Sequence, residues 1–72
     1  MKVEIHYCAI CDGFDVEAKQ LAAFLESKGY EAETFPGENG QYDVIAGGRR
    51  VYSADRTGRF PKNEDVLAAI SG

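Results

Sequence analysis

Only two of the 72 residues are cysteine, and they stand three positions apart as Cys8 and Cys11. That is too few for a secreted domain held by a disulfide framework. A bridge between them would also be a poor staple. The chain-entropy view assigns about 2 kcal/mol to closing so short a loop, against about 4.7 kcal/mol for a hundred-residue one. Basic residues are scarce too: 8 Lys and Arg against 12 Asp and Glu, a formal charge of −4. Broad contact with nucleic acid needs clustered cations, so that class of partner is excluded. No apolar run approaches the roughly 20 residues that span a bilayer. The opening Met1-Lys2-Val3-Glu4 lacks the apolar stretch of a signal peptide, so the expected location is the cytoplasm and no membrane partner is expected. There is no repeat, low-complexity tract or linker, and residues 1–72 read as a single domain. A chain this short buries only about 60% of the surface that it exposes when unfolded. It has no room for a deep pocket, and its chemistry must sit at the surface.

What is present has a clear order. Val3-Glu4-Ile5-His6-Tyr7 alternates, as a strand with one buried face does, with Val3, Ile5 and Tyr7 pointing inward. After the cysteines, Phe14, Ala18, Leu21 and Leu25 fall on one helix face. Asp12 and Asp15 favour the start of that helix, Lys28 its end, and Gly29 terminates it. Tyr30 to Phe35 reads as a second strand, with Glu31 and Glu33 facing solvent. Residues 36 to 40 make a loop. Tyr42 to Ala46 and Arg49 to Ser53 flank Gly47-Gly48, a strong hairpin signal. Residues 54 to 62 are irregular. Asn63 is an expected N-cap for a last helix carrying Val66, Leu67 and Ile70.

The order βαβββα constrains the topology. A right-handed crossover makes the first two strands parallel, and the hairpin places the third antiparallel to the first. The expected fold is α/β: a two-layer sandwich with a four-stranded mixed sheet of order 2-1-3-4 and both helices on one face. Three loops then gather at one edge: residues 8 to 13, 36 to 41 and 54 to 62. They bring Arg56, Arg59 and Phe60 beside the cysteines as candidate substrate contacts. Arg49 and Arg50, at the opposite end, read as solubility charges.

A C-x-x-C between a strand and a helix has a redox mechanism. The thiolate is the nucleophile in disulfide exchange. Unpaired N–H groups at a helix start favour its charge, and the second cysteine resolves the mixed disulfide. No cofactor is needed. Asp12 and Asp15 oppose strong activation, and no proline stands between the cysteines or immediately before the third strand. Cys8 leaves the strand before the helix begins, so it is expected to be the more exposed and the attacking thiol, with Cys11 resolving. The alternative is a metal-binding module or metallochaperone using Cys8, Cys11 and His6. Three Cys or His groups fall short of a closed four-ligand zinc site, and the terminal helix differs from the terminal strand of small copper chaperones. His6, with Glu4 as its same-face neighbour, reads more simply as a solvent-facing strand residue.

Tyr7-Cys8-Ala9-Ile10-Cys11 after a first strand, Gly40-Gln41-Tyr42-Asp43-Val44, Gly48 through Val51-Tyr52-Ser53, and Gly58-Arg59-Phe60-Pro61 together resemble the selenoprotein W-like (Rdx) family, in order along nearly the whole chain. The resemblance implies a thioredoxin-like fold, activity as a thiol-disulfide oxidoreductase, and glutathione or protein thiols as partners. The family's animal selenoproteins carry selenocysteine where this chain has Cys11. The resemblance therefore makes Cys11 the more reactive position, against the argument from exposure.

Overall fold

In the computed structural model, which describes residues 2–53 and 60–71, the elements follow the expected order: β1 (Lys2–Cys8), α1 (Phe14–Ser27), β2 (Glu31–Gly37), β3 (Tyr42–Ala46), β4 (Arg49–Ser53) and α2 (Asn63–Ser71). The sheet order is β2-β1-β3-β4, with β1 parallel to β2 and antiparallel to β3. Alternation along β1 puts Val3 and Ile5 into the core beside Val44 and Ala46 of β3. From α1, Ala18, Leu21 and Leu25 cover them, and Val66 and Ile70 do the same from α2. Burying each of the larger aliphatic side chains contributes about 1.5–3 kcal/mol. The first helix packs on β1 and β2, the second on β4 and on α1, so both lie on one face.

The helix and hairpin ends follow from local chemistry. Helix α1 closes with Gly29 N–H donating to Glu26 O and Tyr30 N–H to Leu25 O, the paired bonds of a Schellman ending. Gly47 and Gly48 have φ of 60° and 81°, the two positive values that a type I′ hairpin turn requires.

Three boundaries differ from the sequence reading. Strand β2 runs on through Pro36 and Gly37, which pair with Tyr7 and Cys8. Proline is tolerated there because β2 is an edge strand, with one side free of ladder bonds. Asn63 is not the N-cap of α2: the first helical bonds, from Asp65 N–H and Val66 N–H, go to Lys62 O, which makes Lys62 the capping residue. Asp12 lies in the loop ahead of α1, and Asp15 is in its first turn.

Candidate redox site

Two turns carry the chain from β1 into α1. Cys11 N–H donates to Cys8 O, and Phe14 N–H to Cys11 O, each at 3.4 Å. In the second turn Gly13 has φ 84° and ψ −16°, while no non-glycine residue among the described ones has positive φ. Those angles define a type II turn with glycine at its third position, where an L side chain is strained. Glu17 N–H then donates to Gly13 O and the helix begins.

Cys8 and Cys11 are joined as a disulfide, with Cα atoms 5.4 Å apart. Their surroundings are unequal, and opposite to the expectation from the sequence. Cys8 is 0% exposed, whereas Cys11 is half-buried and Ile10 between them is 79% exposed. The reason lies in the sheet. Cys8 is still a strand residue, paired with Gly37 on one side and donating its N–H to Gln41 O at 2.7 Å on the other. The chain lifts away from the sheet only after it. Regular alternation breaks here, since Tyr7 is half-buried and Cys8 is sealed.

Beside Cys8, the 38–43 segment forms a polar network that sequence reasoning missed. Gln41 Oε1 accepts Glu38 N–H at 2.8 Å, and Gln41 Nε2 donates to Asp43 Oδ2 at 2.8 Å. The Gln41 carboxamide lies against the backbone of Gly37, leaving no space there for a Cβ. Asp43 is buried in the otherwise apolar strand β3, with Arg50 Nη1 4.0 Å from its Oδ1. A carboxylate in an inner strand was the readable signal, because such a group is buried only where it has partners. Arg50 is thus more than a solubility charge, because it extends to the rim of this network.

An aromatic cluster closes the core at the same end. Phe60 packs edge-on against Phe14 at 4.9 Å and against Tyr42 at 5.0 Å between ring centroids. Phe60, a candidate substrate contact, is thereby a packing residue that keeps part of its ring exposed. Burial pushes the Tyr42 phenol well above its usual range, with smaller contributions from the charge of Glu17 and from Tyr52. The other two candidate contacts, Arg56 and Arg59, lie outside the described residues. His6 takes the plain role expected of it: its Nε2 lies 3.0 Å from Glu4 Oε1, and its ring stacks on Phe35 at 5.2 Å. Among the described residues, no group of three or more His, Cys, Asp or Glu side chains is arranged to hold a metal ion. No helix among them is long and apolar enough to cross a membrane.

A mixed sheet of order β2-β1-β3-β4 with both helices on one face, and a C-x-x-C pair where the first strand enters the first helix, define a thioredoxin-like domain. The chain belongs to the Rdx family, whose profile matches residues 2–72. Among curated proteins it is similar to Migration and invasion enhancer 1 of Bos taurus, 29% identical over 72 residues, and to that of Mus musculus, 30% identical over 70 residues. The alignments cover 97% and 94% of this chain but 62% and 60% of those proteins, so the chain spans about three fifths of their length. Among solved structures, the fold is similar to that of a selenoprotein W-related protein from Vibrio cholerae, with a TM-score of 0.84 at 20% identity over 97% of this chain and 91% of that one. A protein from Bordetella parapertussis gives a TM-score of 0.85 at 23% identity, over 97% and 92%. The family and the fold agree with the resemblance carried by the sequence motifs.

Proposed function

We propose that the protein is a cytoplasmic thiol-disulfide oxidoreductase that cycles Cys8 and Cys11 between dithiol and disulfide, with glutathione or protein thiols as partners. The observation that carries this reading is the asymmetric C-x-x-C pair, with Cys8 sealed in the sheet and Cys11 only half-buried, in a member of the Rdx family. In the reducing direction Cys11 gives up its proton, and the resulting thiolate attacks one sulfur of a substrate disulfide. That S–S bond breaks, the departing thiolate takes up a proton, and a mixed disulfide forms on Cys11. Cys8 then gives up its proton and attacks the Cys11 sulfur, the mixed disulfide breaks, and the second substrate thiol leaves. Two electrons and two protons have passed from the protein dithiol to the substrate disulfide. The roles of the cysteines are assigned by access: a bulky partner reaches Cys11, while Cys8 needs only to reach its neighbour. Cys11 also lies nearer the N–H groups at the start of α1, which favour a thiolate. The exposed Ile10 beside it offers an apolar contact suited to a protein partner.

Thiol alkylation and mass spectrometry across a glutathione redox titration test the cycle. The expected result is a single two-electron transition between the values of thioredoxin and protein disulfide isomerase, about −270 to −180 mV. Absence of any such transition refutes the redox reading. Trapping tests the direction. With oxidised glutathione, Cys8→Ser is expected to accumulate mixed disulfide at least about tenfold faster than Cys11→Ser, a difference of about 1.4 kcal/mol in barrier. The reverse order would make Cys8 the nucleophile.

A further inference from the structure

The large apolar side chains that the described residues leave in solvent are not scattered. There are three: Ile10 at 79% exposure, Val16 at 51% and Phe60 at 36%. Ile10 stands in the turn between the two cysteines, and Val16 in the first turn of α1. Phe60 rests on Phe14, whose N–H donates to Cys11 O, and so borders the same turn. All three therefore gather where β1 passes into α1, at the thiol pair. Neither Ile10 nor Val16 belongs to the packed core, so the fold itself does not account for their apolar character. Single exposed apolar side chains are ordinary, whereas a group of them at one end of a domain marks a contact surface.

Charge is ordered around the same side chains. Residues 8–18 carry Asp12, Asp15 and Glu17 and no Lys or Arg. Asp12 follows Cys11, and Asp15 and Glu17 stand on either side of Val16 in the chain. A complementary partner combines apolar with basic side chains. Glutathione meets neither demand, because its cysteine lies between a γ-glutamyl group and a glycine and its carboxylates outnumber its one ammonium. We infer that this surface docks an extended protein segment whose exchanging cysteine has apolar neighbours and basic residues close by, with Ile10 as the first contact and Val16 and Phe60 beside it. An apolar side chain laid against Ile10 brings the adjoining cysteine of the partner toward Cys11, the next residue. The inference rests on the proposed exchange reaction and names its substrate class: basic protein disulfides with apolar flanks are taken in preference to glutathione.

Docking is tested apart from redox chemistry with the oxidised protein and the thiol-free peptide Lys-Leu-Ser-Leu-Lys, capped at both ends. Its counterparts are Lys-Gly-Ser-Gly-Lys, which lacks the apolar flanks, and Glu-Leu-Ser-Leu-Glu, which reverses the charge. Amide shifts in residues 9–17 are expected with the first peptide, at an affinity about fivefold or more above that of either counterpart. Ile10→Ser should weaken that affinity about fivefold, and Val16→Ala less; both positions are exposed, and two variants guard against a folding defect in one. Equal affinity for all three peptides, no binding, or no effect of either substitution overturns the proposal. Exchange rates of the reduced protein then connect the surface to substrate choice. The disulfide-linked dimer of Lys-Leu-Cys-Leu-Lys is compared with oxidised glutathione, each rate divided by that for bis(2-hydroxyethyl) disulfide, which has no side chain to dock. The peptide ratio should exceed the glutathione ratio, and should fall about fivefold in Ile10→Ser. A larger ratio for glutathione, or a peptide ratio unchanged by the substitution, overturns the substrate class. A dithiol that reduces none of these disulfides defeats the redox reading instead, and the amide shifts still decide the docking surface.

Discussion

Replacing Gly37 by alanine perturbs the site at a point where the geometry makes a numerical forecast. The added methyl group falls on the Gln41 carboxamide, 2.9 Å from Cδ, while its nearest backbone neighbour, Tyr7 O, is at an ordinary 3.5 Å. Gln41 is long and can swing aside, so steric repulsion itself is cheap. Moving it, however, breaks the bonds to Glu38 N–H and Asp43 Oδ2. The first is exposed, and water replaces it at little cost. The second is a charge-assisted bond to a buried carboxylate, worth about 1.5–3 kcal/mol. The expected loss is therefore about 2–3 kcal/mol, a large share of the roughly 4–11 kcal/mol typical of 72 residues.

Urea denaturation of the oxidised protein, followed by circular dichroism, measures this loss as a fall in midpoint with little change in slope. A double-mutant cycle isolates its cause. In a Gln41→Ala background the carboxamide is already gone, so Gly37→Ala should cost under about 0.5 kcal/mol, with the difference appearing as coupling. A cost as large in that background as in the parent would show that the backbone, not the Gln41 network, rejects the methyl group. A loss below about 0.5 kcal/mol in the parent would show that the Asp43 bond contributes nothing to stability. Either result refutes the reasoning.

Gly13→Ala should destabilise the fold by about 1–2 kcal/mol, because Gly13 holds a left-handed conformation and caps the helix two residues after Cys11; a thermal melt that matches the parent within a degree would contradict this. Stability should fall as pH rises above the usual tyrosine value near 10. The Tyr42 phenol stays protonated in the buried native state while the unfolded state ionises, so the unfolded chain binds fewer protons and the slope is negative, at most about 1.4 kcal/mol per pH unit. Tyr42→Phe should flatten that slope in urea titrations between pH 9 and 11, and an unchanged slope would assign the effect to other groups.

The fold was legible because each of its decisions is local. The alternation in residues 3–7, the apolar spacing from Phe14 to Leu25 and the Gly47-Gly48 pair each specify one element, and the handedness of the crossover then leaves one economical topology. The Rdx family was legible through motifs rather than through physics, and the profile over residues 2–72 agrees with them. What escaped the sequence was the solvent access of the two sulfurs. Strand pairing is a long-range property: Cys8 is sealed because residues some thirty positions later, Gly37 and Gln41, flank it. No window around the C-x-x-C contains that information. Asp43 was legible in part, as a carboxylate in an inner strand, but its partner is set by local folding, when the 38–41 turn lays Gln41 over Gly37 and back toward it.

That long-range arrangement also reconciles the two arguments about the nucleophile. Exposure and family position disagreed while Cys8 was taken to have left the sheet. With Cys8 held as the last paired residue of β1, access and family position both point to Cys11. Replacing selenium by sulfur at this position lowers the reactivity of the group but does not change which atom a partner can reach. The sealed position, in turn, suits a resolving thiol, because its attack is intramolecular and needs no solvent path.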